Sequence, residues 1–140
     1  MSDTMPVTGS DIIGELLLAS QALLAVVPAE NIAAARLPAG LPLPLILVEL
    51  ISTANRQPLK RGRFVRRTDR ITVKVLTTSH NDRKRIMHLV GLACAGRTGT
   101  IAGAERVSVL TAGSGPELIG PGDSYEQGRD FRVSFDEPTS

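Results

Sequence analysis

The chain has 140 residues, 42% of them hydrophobic and 21% charged, which suits one globular domain with one core. Aromatic residues make up only 3% and Trp is absent, so the core is expected to be aliphatic and a surface that stacks bases or sugars is disfavoured. A single cysteine, Cys94, excludes an intrachain disulfide and reads as a small buried hydrophobe on a helix. The formal net charge of +2 conceals a segregation: residues 1–55 carry a net of −4, residues 56–85 a net of +9 and residues 86–140 a net of −3. A basic middle between acidic flanks implies an anionic partner or head-to-tail self-association.

Met1–Gly9 reads as a loose lead-in without the basic start of a signal peptide. From Ser10, read as the cap, Ile12, Leu16, Leu23 and Val27 recur at helical spacing up to Pro28. Leu17, Leu18, Leu24 and Val26 carry the apolar surface around most of that cylinder. Part of it is therefore expected to be covered by a second copy, and Leu16, Leu17, Leu18, Leu24 and Val26 are candidate subunit contacts. The run Leu16–Val27 is shorter than the roughly 20 residues a bilayer span needs, and no membrane partner is expected.

Residues 29–44 hold three Pro and a Gly and read as a connector with a helical turn near Glu30–Arg36. Leu45–Ala54 is β-branched and aliphatic and reads as a strand with both faces partly covered. After a turn at Asn55–Gly62, a second strand runs from Phe64 to Thr77. Val65, Ile71, Val73 and Val75 share one parity, with Arg66, Arg70, Thr72 and Lys74 on the other. The two strands form a hairpin whose tip is expected to project. Ser79–Asp82 fits a Ser-x-x-Asp cap, and Ile86, Leu89, Val90 and Ala93 follow at helical spacing up to Gly96. A Gly-rich connector at 96–103, a strand at Arg106–Thr111, an exposed loop and a last strand at Tyr125–Asp136 complete the order. The expected fold class is α+β, a mainly antiparallel sheet of about four strands with two helices packed on one face.

Gly91–Thr98 imitates a phosphate loop, but an Arg replaces the Lys and the glycines fall at a helix end, where the amides do not converge on an anion. His80 and His88 have no accompanying ligand cluster, and no Gly-x-Ser-x-Gly is present. No catalytic residue, cofactor or metal is therefore expected. The basic run is the exception. Lys60, Arg61, Arg63, Arg66 and Arg67 concentrate at the hairpin tip, and Arg83, Lys84 and Arg85 open the second helix against its dipole. Such residues suit phosphate oxygens or an acidic protein surface, and equally a solvated face.

The N-terminal helix, the Pro-rich entry to LPLILVELIST, the unit ITVKVLTTSHNDRKRIMHLVGLACAG and the ending GDSYEQGRDFRVSFD together resemble the tail-completion or tail-terminator family of long-tailed double-stranded DNA phages and related prophage-derived particles. The resemblance implies one terminator-like domain over residues 1–140. It also implies a non-enzymatic virion protein, made in the host cytoplasm, that assembles as a hexameric ring on the tail tube. Such a ring stops tube polymerisation and offers a surface to the head-tail connector. In that setting the tip would contact tube, neck or channel DNA, and Arg83 and Arg85 would join the apolar helix residues at a subunit interface. The alternatives are a head-completion or neck connector protein and a small sequence-nonspecific nucleic-acid-binding domain.

Overall fold

Two long antiparallel pairings form the spine of the fold. In the computed structural model, which describes residues 6–34, 42–56 and 62–139, strand β2 (Leu45–Arg56) pairs with β3 (Phe64–Thr77), and β3 pairs along its whole length with β7 (Tyr125–Pro138). β5 (Ala104–Ser114) joins the far edge of β7, and β4 (Thr98–Ile101) lies outside β5. Two short strands complete the sheet: β1 (Ile32–Ala34), parallel to β2, and β6 (Leu118–Ile119), antiparallel to β7. The order across the sheet is β1-β2-β3-β7-β5-β4, with β6 attached to β7.

The expected α+β class with helices on one face is present, with more strands than the four read from the sequence. β1, β4 and β6 have three, four and two residues, too few for an alternating pattern to stand out. β4 also takes up part of the segment expected to be a plain connector.

The N-terminal helix begins at Gly9 instead of Ser10 and breaks in two. In α1 (Gly9–Leu18) the Asp11 carboxylate accepts from the Thr8 N–H at 2.9 Å, so Thr8 takes the place expected for Ser10 as cap. Ser20 then accepts from the Leu23 N–H and caps a separate turn, α2 (Gln21–Leu24), because a serine oxygen offers the chain a restart. Of the helical turn expected at Glu30–Arg36, the residues up to Ala34 form instead a 3-10 turn at Ala29–Asn31 and β1, and residues 35 and 36 lie outside the described residues. The second long helix, α3 (His80–Cys94), starts as read, with Ser79 accepting from the Asp82 N–H at 3.1 Å.

Both long helices lie on the same side of the sheet. Ile12, Ile13 and Leu17 of α1 and Ile86, Val90 and Cys94 of α3 join Ile46, Val48, Ile71, Val73, Val75, Val107, Val109, Phe131, Val133 and Phe135 in one buried cluster. The expectation of an aliphatic core needs correction, because Phe131 and Phe135 are the largest of the fully buried side chains. Two of the chain's three Phe sit at inward positions of a central strand, where a large ring buries most area. On β2, Ile46 and Val48 join the core, whereas Leu50 to Arg56 are all exposed.

Candidate interaction surfaces

The hairpin tip was the sequence's foremost candidate, and the structure divides its cations. Lys60 and Arg61 lie outside the described residues. Arg63 is exposed, and its carbonyl, with that of Gly62, is held by Thr139 of the C-terminal segment. Arg56, at the end of β2, is also exposed, and neither Arg56 nor Arg63 has an ion pair among the described residues. Arg66 and Arg67 are engaged within the fold.

Arg66 points to the outer face of the sheet, where its Nη1 meets Asp136 at 3.1 Å and donates to the Arg106 carbonyl at 2.7 Å. Along the same face Arg70 reaches Asp130 at 2.7 Å, and the Thr72 hydroxyl donates to that carboxylate's other oxygen at 2.7 Å. Lys74 stands between Glu49 and Glu126 at 3.6 and 3.5 Å. The basic strand is thus neutralised mainly by the acidic strand that pairs with it. Five cations of residues 56–85, namely Arg66, Arg67, Arg70, Lys74 and Arg83, meet acids of residues 86–140. The segregation along the sequence is thus partly cancelled in space.

Arg67 has the opposite parity and faces inward with Asp69. Asp69 is fully buried and accepts four hydrogen bonds: from the Gly9 N–H at 2.7 Å, the Thr53 hydroxyl at 2.8 Å, and Arg67 Nε and Nη2 at 2.8 and 3.0 Å. Arg67 also reaches Glu137 at 2.7 Å and lies 5.5 Å over the Phe135 ring. Its pKa is raised, first by the hydrogen bond to Asp69 and then, against desolvation, by Glu137. Asp69 ties the start of α1, whose dipole favours an anion, to β2 and β3. Sequence reasoning missed it. Its only trace there is an acidic side chain on the apolar parity of β3.

The second basic group lies at the far end. β3 spans about 45 Å at about 3.3 Å per residue, so the tip and the start of α3 do not form one patch. Arg83 is buried, ion-paired with Glu117 at 2.7 Å, 2.6 Å from His80 Nδ1 and 5.7 Å over the Tyr125 ring. Instead of the expected subunit contact, Arg83 spends its charge inside its own chain, on Glu117 and over the Tyr125 ring of β7. Arg85 and Lys84 remain exposed. Of the apolar candidates, Leu17 is buried in the chain's own core, Leu16, Leu24 and Val26 are half-buried, and Leu18 is 47% exposed. α3 and the sheet thus supply much of the cover that was expected from another copy.

Gly91 falls inside α3, where the guanidinium of Arg129 occupies the space a Cβ would need, so it forms no phosphate loop. Cys94 is buried, and burial pushes its thiol up to about 12, against a smaller opposing pull from Arg129 and Arg97. We therefore expect a thiol-specific disulfide reagent at neutral pH to label the native protein at least a hundredfold more slowly than the protein in denaturant. Because the folded pKa is the higher one, Cys94 should cost no stability below its ordinary pKa of about 8.5. Its contribution is lost between that value and about 12, which unfolding midpoints of wild type and Cys94→Ala across that range would reveal. Among the described residues no group of His, Cys, Asp and Glu could hold a metal ion, and no helix is long and apolar enough to cross a membrane.

The arrangement is an α+β fold with a seven-stranded, mainly antiparallel sheet, helices on one face and a charged ladder on the other. That fold is shared with a chain of the solved structure described as "Virion of native gene transfer agent (GTA) particle". The match has a TM-score of 0.69 at 14% identity and covers 91% of this chain and 94% of the other. No family model and no curated protein matches the sequence.

Proposed function

We propose that this chain is a structural protein of a phage-like virion that caps the tail tube, ends its polymerisation and offers the joining surface to the head. The observation that carries this reading is the fold shared, nearly end to end, with a chain of a gene transfer agent virion. Two further features support an assembly role. The ends of β2 and β3 beside the tip carry exposed Arg56 and Arg63, and Leu50, Ile51 and Phe64 are exposed near them at 42%, 53% and 42%. Exposed apolar groups beside cations suit a protein surface with acidic character better than a nucleic-acid backbone alone. In the proposed assembly, copies form a ring, by the family resemblance a hexamer, at the tail end of the head-tail junction. The tip docks on the tube or the neck, and no catalysis is involved.

The test is polymerisation of the tail-tube protein of the same particle in the presence of this chain. Tubes should become shorter, with added density at one end in negative stain. The Arg56→Ser/Arg63→Ser variant, which leaves the internal ion pairs intact, should cap at least tenfold less efficiently at unchanged melting temperature. Tubes of unaltered length and bare ends would sink the proposal. Binding to portal rings instead would move the chain to the head side of the neck. Salt-sensitive binding to duplex DNA without tube binding would favour the nucleic-acid reading.

A further inference from the structure

The apolar features that the chain's own fold leaves uncovered include, besides Leu50, Ile51 and Phe64 near the tip, two at α3 and at β6. The first is a groove of about 340 Å³ between α1–α2 and α3, walled by Leu16 and Ala22 on one side and by Leu89 and Leu92 on the other, with Arg97 at its rim. Leu92 is 60% exposed there. The second is β6, on which Ile119 is 64% exposed.

β6 is held in place at several points. Glu117 before it pairs with buried Arg83 at 2.7 Å, Ile119 stands in register with Tyr125, and the Gly120 N–H donates to the Ser124 carbonyl at 2.7 Å. Upstream, the Gly115 N–H donates to the Gly128 carbonyl at 2.8 Å. A segment fixed in this way presents an apolar side chain with little ordering entropy left to lose.

A chain cannot place its own Ile119 in its own groove. Ile119 lies across from Tyr125, whose ring meets that of His80 at the start of α3 with centroids 6.5 Å apart. Leu92 lies about 18 Å further along the helix at about 1.5 Å per residue. The rims carry opposite charges as well: the Glu117 side chain, though paired with Arg83, is 54% exposed beside β6, and Arg97, which donates to the Ala93 and Leu92 carbonyls, is exposed at the groove.

We propose that Ile119 of one copy inserts between α1–α2 and α3 of a second copy, with Glu117 facing the partner copy's Arg97. The contact joins two different surfaces of the same chain. It is therefore heterologous, and its repetition closes a ring or extends a filament. It rests on the reading of the chain as an assembling virion protein and gives that assembly its subunit contact.

Single substitutions Ile119→Cys and Leu92→Cys test the contact, because both positions are exposed and native Cys94 is buried. Under mild oxidation, alone and on tail tubes, disulfide-linked dimers should form when the two variants are mixed and not within either one. Ile119→Lys and Leu92→Lys should each weaken self-association at least tenfold by sedimentation without lowering the melting temperature. Self-association unchanged in both Lys variants, dimers within one variant alone, or no dimers in solution and on tubes would each overturn the contact. Tubes capped without the Ile119–Leu92 disulfide would overturn the contact and spare the virion reading. A disulfide-linked ring that leaves tube length unaltered would do the reverse.

Discussion

Replacing Asp69 with Ala should destabilise the protein by about 3 kcal/mol or more, since breaking a buried ion pair from one side costs about 3–5 kcal/mol. Asp69 is fully buried and carries the Gly9 amide, the Thr53 hydroxyl and two Arg67 nitrogens. Its loss would leave Arg67, whose side chain is only 12% exposed, with Glu137 as sole counterion at 2.7 Å. That remaining pair places the expected cost at the lower end of the range. Asp69→Asn keeps the shape and some acceptors but not the charge, so it should cost about 2 kcal/mol, the scale of hydrogen bonds to a charged group. Gly9→Ala probes the same joint, because its Cβ would stand 2.7 Å from Asp69 Cβ, and overpacking there should cost about 1–3 kcal/mol. Urea unfolding midpoints at fixed m-value measure all three. An Asp69→Ala variant within about 1 kcal/mol of wild type would mean that Asp69 does not join α1 to the sheet as described.

A loss of similar size is expected for Phe131→Ala, about 3–5 kcal/mol, because truncating a large buried ring removes transfer energy and leaves a cavity. Phe131 is fully buried on β7, opposite Ile71 of β3 and Thr111 of β5. It also lies beneath the Arg129 guanidinium at 5.7 Å, and that contact would go with the ring. Phe64, 42% exposed near the tip, is the internal comparison, and Phe64→Ala should cost less than about 1 kcal/mol. Thermal unfolding of the two variants side by side measures the contrast. Equal losses would contradict a core centred on β7.

The first expectation concerns residues whose burial could not be read from neighbouring sequence. Asp69 and Arg67 interrupt the apolar parity of β3, and in isolation such a break reads as solvent exposure. It is a partner sixty or seventy residues away, the Gly9 amide for Asp69 and Glu137 for Arg67, that makes it an interior network. The same holds for Arg66 and Arg70, which look like a binding face until β7 supplies Asp136 and Asp130. The basic tip was legible as a cluster, but its division into engaged and exposed cations was not.

What local sequence determined was the set of elements whose pattern is long enough to stand alone. The alternation from Phe64 to Thr77 specifies β3, the Ser79 cap and the spacing of Ile86, Val90 and Ala93 specify α3, and the inward run Phe131, Val133 and Phe135 specifies β7. Only the tertiary structure decided which charges meet, which short edge strands form and which apolar residues stay uncovered. Strand register between β3 and β7 joins residues 48 to 74 positions apart, and periodicity within a segment carries no information about the segment it will face.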